Sequence, residues 1–198
     1  MKCIRGAILS GGQSTRMGSD KGLLTQNNLT WSQITASKLA LLHIPVIVSV
    51  NEEQSKTYSK IFSADRLITD DKSISVKGPL LGLLSLHQQF PNDDLFILAC
   101  DMIDMNLLPL QNLLDCYQLN SHEAFVYATN EKPQPLCAIY TSGGLDKLSE
   151  LNGMGQLKNF SMMHVLECIN TKYVLVPEEQ SQCFNNYNSS FDLRKKYF

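Results

Sequence analysis

The sequence predicts an α/β chain built on a parallel-rich sheet with helices on both faces. Two observations carry this. Short apolar runs rich in β-branched residues, such as PVIVSV (residues 45–50) and LFILAC (95–100), read as strands covered on both sides. They alternate with longer segments of helical period, which is the order of successive βα units. A chain of 198 residues suits one domain.

Each element follows from its local pattern. Residues 3–10 form an apolar run that stops at two glycines, a buried strand. Residues 30–43 show helical period, with Trp31, Leu39 and Leu42 among the apolar positions. The strand at 45–50 precedes a helix at 53–62 and a short strand at 66–69. Pro79 stands where a first helical turn tolerates it, ahead of an apolar helix at 80–90. The strand at 95–100 is followed by a helix at 106–120. AFVYAT (124–129) and PLCAIY (135–140) read as further strands. Helices are expected at 143–151 and 156–166, and a last strand at 171–176.

Composition excludes several classes of function. Charged residues make up 18% of the chain and the net charge is -2, so there is no basic field for nucleic acid. No window approaches the roughly 18 apolar residues of a membrane span. The start, MKCIRGAILSGG, is broken by glycines too early for a signal-peptide core. The six cysteines form no C-x-x-C pair and no zinc-like spacing with histidine. They are expected to be buried, reduced thiols of a cytoplasmic protein.

Ligands of open parallel sheets sit beyond the carboxyl ends of the strands. The loops after the first strand, after Val50, after Thr69 and after Cys100 are therefore expected to share one crevice. The first of them, in AILSGGQSTRMGSDKGLL (7–24), carries Gly11 and Gly12, which let backbone N–H groups approach an anion closely. Arg16 adds a planar bidentate donor and Lys21 a compact charge, a pair suited to a polyphosphate. The loop is neither a P-loop nor the dinucleotide fingerprint, since G-K-[ST] and G-x-G-x-x-G are both absent. Asp101 directly follows a buried strand. Magnesium uses one or two carboxylates together with substrate phosphates, and Asp101 fits that use. His43, His87, His122 and His164 are scattered, and no Ser–His or Cys–His constellation stands out.

The pattern L-x-G-G-x-x-x-R-M-G-x-D-K-x-L-L, here Leu9, Gly11, Gly12, Arg16, Met17, Gly18, Asp20, Lys21, Leu23 and Leu24, resembles the signature of the MobA-like nucleotidyltransferases, the family related to molybdenum cofactor guanylyltransferase. Four further segments follow in family order up to Leu193. GPLLG (78–82) resembles G-P-L-x-G, and Asp71, with Asp70 beside it, stands seven residues before Gly78, where the family reads guanine. CD (100–101) resembles C-D-x-P with Ile103 in place of the proline. QPLCAIY (134–140) resembles the strand on the acceptor side. FNNYNSSFDL (184–193) keeps Asn186 and Asn188 of the closing N-x-N, with the family's T-P-E portion replaced. Ser49 stands where the family often has a nucleotide-contacting asparagine, and Lys158 is the single basic residue of GMGQLKNF (153–160).

The resemblance implies a three-layer α/β/α, Rossmann-like nucleotidyltransferase domain, with a nucleotide-binding half over about 1–105 and an acceptor-binding half over about 106–198. It implies a Mg²⁺-dependent guanylyltransferase that moves GMP from GTP to molybdopterin and releases pyrophosphate. Leu9, Ser10, Gly11, Gly12, Arg16, Lys21, Ser49, Asp71 and Asp101 would bind the nucleotide. Lys21, Arg16 and Asp101 would carry catalysis, with Asp101 as metal ligand. Gln134, Pro135, Lys158, Asn186 and Asn188 would face the acceptor. A monomer served by cofactor-delivery and molybdoenzyme-maturation proteins is expected. Two alternatives stay open: a relative using CTP or another phosphate acceptor, and a nucleotide-binding accessory protein without catalysis.

Overall fold

A computed structural model describes residues 3–11, 20–129 and 132–184. Its elements run β1 (Ile4–Leu9), β2 (Thr25–Gln26), β3 (Leu29–Thr30), α1 (Trp31–Ala40), β4 (Val46–Val50), α2 (Glu52–Tyr58), β5 (Leu67–Thr69), α3 (Pro79–Gln89), β6 (Asp94–Ala99), α4 (Leu107–Leu119), β7 (Ala124–Thr129), β8 (Lys132–Tyr140), α5 (Ser142–Gly153), α6 (Met162–Cys168) and β9 (Thr171–Leu175). Short 3₁₀ turns occupy Lys21–Leu23, Ala64–Arg66 and Glu178–Phe184.

Seven strands form one sheet in the order β5-β4-β1-β6-β8-β7-β9. β5, β4, β1 and β6 are mutually parallel, and β7 is parallel to β9. Only β8 runs against its neighbours, so the sheet is mostly parallel, as the sequence predicts. Alternate residues along each strand feed two separate cores. Ile8, Val48, Phe96, Leu98 and Phe125 pack with Leu39, Tyr58, Leu110 and Leu113 on one face. Ala7, Leu9, Ile47, Leu95 and Ile97 pack with Leu80, Leu83, Leu145 and Val165 on the other. Helices α1, α2 and α4 thus cover one side and α3, α5 and α6 the other, giving three layers. The all-buried strands β4 and β6 are the consequence, since neither has a face left for water.

The structure departs from the sequence expectation in three places. The helix expected over 156–166 is confined to α6. Gly155 takes a left-handed φ of 66° after α5, Asn159 accepts from the Ser161 N–H, and Ser161 caps α6 by accepting from His164 N. The helix expected over 53–62 ends at Tyr58, where Ile61 and Phe62 both bond back to the Tyr58 carbonyl. A small β2–β3 hairpin was not anticipated. Its turn residues Asn27 and Asn28 have φ of 51° and 65°, which asparagine tolerates better than most residues. All six cysteines are free, but only Cys100, Cys137 and Cys183 are buried. Cys116 and Cys168 are half-buried and Cys3 is exposed.

Candidate active site

Four loops meet beyond the carboxyl ends of β1, β4, β5 and β6. Pairing continues past β1, where Ser10 N donates to Ser49 O at 3.0 Å, so the first loop leaves the sheet alongside the end of β4. Gly11 is close against the β5 loop, and a methyl group on it would sit 3.1 Å from Asp70 Oδ2. Gly12 and Arg16 fall outside the described residues, as do Asn186 and Asn188.

Lys21 opens the 3₁₀ turn that returns the loop to the fold. Its Nζ lies 3.1 Å from Asp101 Oδ2, and both side chains are about one-fifth exposed, at 19% and 17%. The sequence offers both as nucleotide-binding residues, and the fold brings the two into an ion pair. Asp101 follows β6, the strand beside β1, and Lys21 reaches it from the 3₁₀ turn at Lys21–Leu23. Beneath the pair, burial pushes the Cys100 thiol up to about 12, so it stays neutral.

The loop carrying Asp101 is held from α1. Ile103, which stands where the family proline would, packs with Trp31 in a small cluster against Leu24 and Ile34. Lys38 donates to the Ile103 carbonyl, and burial lowers the pKa of this lysine. An apolar cluster and a lysine bond to its carbonyl thus hold Ile103 in place.

On the other flank, Ser49 Oγ donates to Asp70 Oδ1 at 3.0 Å, and burial raises the Asp70 pKa against the opposing effect of that bond. Gly82 makes room for this pair. A methyl group there would lie 2.8 Å from Ser49 Oγ, which gives the last glycine of GPLLG its physical reason. Asp70 also lines a cavity of about 530 Å³ with Asn51, Glu53, Lys77, Gly78 and Leu81. Gly78 turns the chain into α3 with φ of 68°, a conformation open to glycine at little cost. Asp71, at the family spacing from Gly78, faces elsewhere. Its carboxylate accepts from Ser73 N at 2.8 Å, a bond that lowers its pKa, and its own N–H donates to Ser85 Oγ. Counting back from Gly78 reaches Asp71. Counting forward from the end of β5 reaches Asp70, and Asp70 is the carboxylate in the crevice.

Across β6 the register pairs Leu98 with Cys137 on the antiparallel β8, which puts the start of β8 beside the end of β6. Gln134 and Pro135 therefore lie at the crevice end of the sheet. Gln134 Nε2 donates to Thr129 Oγ1 at 2.8 Å, within the β7–β8 hairpin. Lys158 is exposed in the irregular segment between α5 and α6.

The donor set suits a cation that relies on substrate for most of its ligands. Among the described residues no group of three or more His, Cys, Asp or Glu side chains could hold a metal. Asp101 is a strand-end carboxylate of the kind magnesium takes together with waters and substrate phosphates. Two residues escaped sequence reasoning. Gln54 and Tyr58 of α2 both contact Asp20; the sequence signal of Gln54 is the N-x-x-Q of a helix cap beginning at Asn51, and Tyr58 lies outside it.

Residues 6–168 match the model of the MobA-like NTP transferase domain. A probable molybdenum cofactor guanylyltransferase of Methanothermobacter thermautotrophicus is 29% identical over 95% of this chain and 96% of its own. A molybdenum cofactor guanylyltransferase of Campylobacter jejuni is 31% identical over 72% of this chain and 69% of its own. Among solved structures, molybdopterin-guanine dinucleotide biosynthesis protein A of Archaeoglobus fulgidus superposes with a TM-score of 0.77 at 20% identity, covering 97% of this chain and 96% of that one. The 4-diphosphocytidyl-2C-methyl-D-erythritol synthase of Anaerococcus prevotii superposes at 0.72 with 10% identity, over 98% and 94% of the two chains. At such identities the two structures speak for the fold alone.

Proposed function

The chain belongs to the MobA-like NTP transferase family, and on that premise we propose that it transfers GMP from GTP to the terminal phosphate of molybdopterin, releasing pyrophosphate. The observation that carries this reading is the Lys21–Asp101 pair, with Asp101 just beyond the carboxyl end of β6 and the start of the first loop, at Gly11, close against Asp70 of the neighbouring cavity. The names of the curated relatives support the choice of substrates.

Phosphate attacking phosphate brings two anions together, so positioning and charge neutralisation must supply the catalysis. The attacking oxygen is already ionised and needs no strong base. Asp101 would hold Mg²⁺, which would supply positive charge to neutralise the phosphates and polarise the reacting phosphorus. Lys21 would stabilise the charge that grows on the α-phosphoryl oxygens. Arg16 and the N–H groups of Gly11 and Gly12 would hold the departing pyrophosphate. Asp70 is the carboxylate we assign to the base, in place of Asp71. It can accept from both the ring N–H and the exocyclic amine of guanine, whereas cytosine presents no such pair. Ser49, by donating to Asp70, would orient the carboxylate rather than reach the nucleotide as a longer asparagine would. Gln134, Pro135 and Lys158, with Asn186 and Asn188, would face the acceptor in the second half of the chain.

We further place the reaction in the cytoplasm, with the chain acting as a monomer that receives its acceptor from delivery proteins. Among the described residues no helix is long and apolar enough to cross a membrane. The test is a panel of GTP, CTP, ATP and UTP with Mg²⁺ and a molybdopterin acceptor, read by pyrophosphate release. GTP alone should support turnover. Preference for CTP would replace the base assignment, and no release with any nucleotide would remove the catalytic one.

A further inference from the structure

Gln54 has all the hydrogen-bonding groups of its amide engaged, and two of the bonds lie at opposite ends of the phosphate loop. Its Nε2 donates to Ser10 O at 2.9 Å, where the chain leaves β1, and to Asp20 Oδ2 at 2.6 Å, where the chain returns. Its Oε1 accepts from Asn51 N at 2.9 Å, closing the capping box of α2. The second oxygen of Asp20 is also occupied. Oδ1 accepts from Gly22 N at 2.9 Å and from the Tyr58 hydroxyl at 3.1 Å. Burial, with the Asp20 charge adding to it, pushes the Tyr58 pKa upward, so this hydroxyl stays a donor. Gly22 is required by the same arrangement, because a methyl group on it would lie 2.1 Å from the Tyr58 oxygen.

We propose that Gln54 is a positioning residue, a clasp that sets the distance between the two ends of the phosphate loop and so the place of Lys21, one residue beyond Asp20. The inference rests on the nucleotidyl-transfer reading above and extends it to a residue of the neighbouring helix. The bond to Asp20 is charge-assisted and short, the kind that fixes geometry as well as adding affinity. The first turn of α2 lines the cavity assigned to the base through Asn51 and Glu53, while Gln54 in the same turn holds the loop assigned to the phosphates. One rigid element therefore sets the spacing between the two parts of the nucleotide. A loop already closed at its ends has less freedom to lose when ligand binds.

Gln54→Glu tests this with little change of shape. The glutamate still accepts from Asn51 N, so the cap survives, but both donors are lost and a second carboxylate faces Asp20. We expect kcat/KM for the nucleoside triphosphate to fall about 10²-fold, the scale of a misplaced catalytic group, with the melting temperature moved by no more than about 4 °C. Adding Asp20→Asn returns a donor to the pair and should recover about tenfold of that loss, which damage to the fold would not allow. Tryptic cleavage after Lys21, next to Asp20 in the described 3₁₀ turn, reads the anchoring without turnover, and should quicken about tenfold in Gln54→Glu and slow again in the double variant. A wild-type protein that releases no pyrophosphate removes the functional reading and leaves the cleavage measurement standing. Wild-type kcat/KM and unchanged cleavage in Gln54→Glu, or a double variant no better than the single, overturns the clasp.

Discussion

The crevice has two flanks of different construction. On the β5–β4–β1–β6 side three sets of polar side chains are paired and partly withdrawn from water: Lys21 with Asp101, Ser49 with Asp70, Gln54 and Tyr58 with Asp20. On the β8–β7–β9 side Gln134 is bonded within its own hairpin and Lys158 stands exposed. The first flank is preorganised, and such groups accelerate a reaction because they need not rearrange as charge develops. Among the described residues the second presents few fixed groups, so their contribution should lie in holding a substrate more than in stabilising a transition state.

The sharpest way to break this contrast is at the ion pair. Asp101→Asn should cut pyrophosphate release by about 10²–10³-fold, while nucleotide affinity, measured by titration without turnover, stays within about threefold. Near-wild-type turnover would take Asp101 out of the chemistry.

Next in size is base reading. Asp70→Asn should cost about tenfold or more in the preference for GTP over ITP, which lacks the exocyclic amine. Asp71→Asn should leave that preference within about twofold, because its carboxylate serves the turn to Ser73. Equal effects would erase the distinction between the two residues. The raised pKa of Asp70 adds a pH signature. GTP affinity should begin to fall, as pH is lowered, above the ordinary carboxylate range, and Asp70→Asn should remove that dependence. The stability sign is opposite. A carboxylate whose pKa is higher folded than unfolded binds its proton more tightly in the native state, so its ionisation costs stability as pH rises. Thermal melts should show Asp70→Asn stabilising the protein at pH 7, with the gain vanishing below the ordinary carboxylate range.

A smaller effect is expected at Gly82→Ala. The added methyl group would meet Ser49 Oγ at 2.8 Å, and the overpacking should cost about 1–3 kcal/mol by denaturant melts. No loss of stability would mean that Ser49 turns aside freely and that its bond to Asp70 is dispensable. The smallest belongs to the other flank. Lys158→Ala should raise the KM for the acceptor by no more than about fivefold, as an exposed charge allows, with the KM for GTP unchanged. A loss in kcat comparable to that of Asp101→Asn would show the acceptor flank to be as preorganised as its neighbour.

Much of the fold is legible because burial writes directly onto residue type. VIVSV and DLFILA could only be central strands, and the helices between them keep the period of one buried face. Legibility fails where backbone conformation rather than apolar pattern decides. Gly155, Asn27 and Asn28 take positive φ, and they end α5 and turn the β2–β3 hairpin without any change in hydrophobic period. The site divides in the same way. Lys21 and Asp101 stand out as charged residues at strand ends. Gln54 does not, since a glutamine in the first turn of a helix reads as a cap and its second set of bonds, to residues 44 and 34 positions away, leaves no local trace.

By itself the sequence determined the layered α/β class, the crevice at the strand ends and the kind of anion the first loop suits, because these depend on composition and order along the chain. Only the tertiary structure decided which of two adjacent aspartates enters that crevice, why Gly22 and Gly82 carry no side chain, and that Gln54 of α2 bonds to both Ser10 and Asp20. Spacing along a chain counts covalent steps. The direction of a side chain is set by the turn it stands in and by neighbours that the fold brings from elsewhere. Asp70 continues the pairing of β5 through its N–H to Val50 O and meets Ser49, while Asp71, one residue on, is turned away by Ser73 and Ser85.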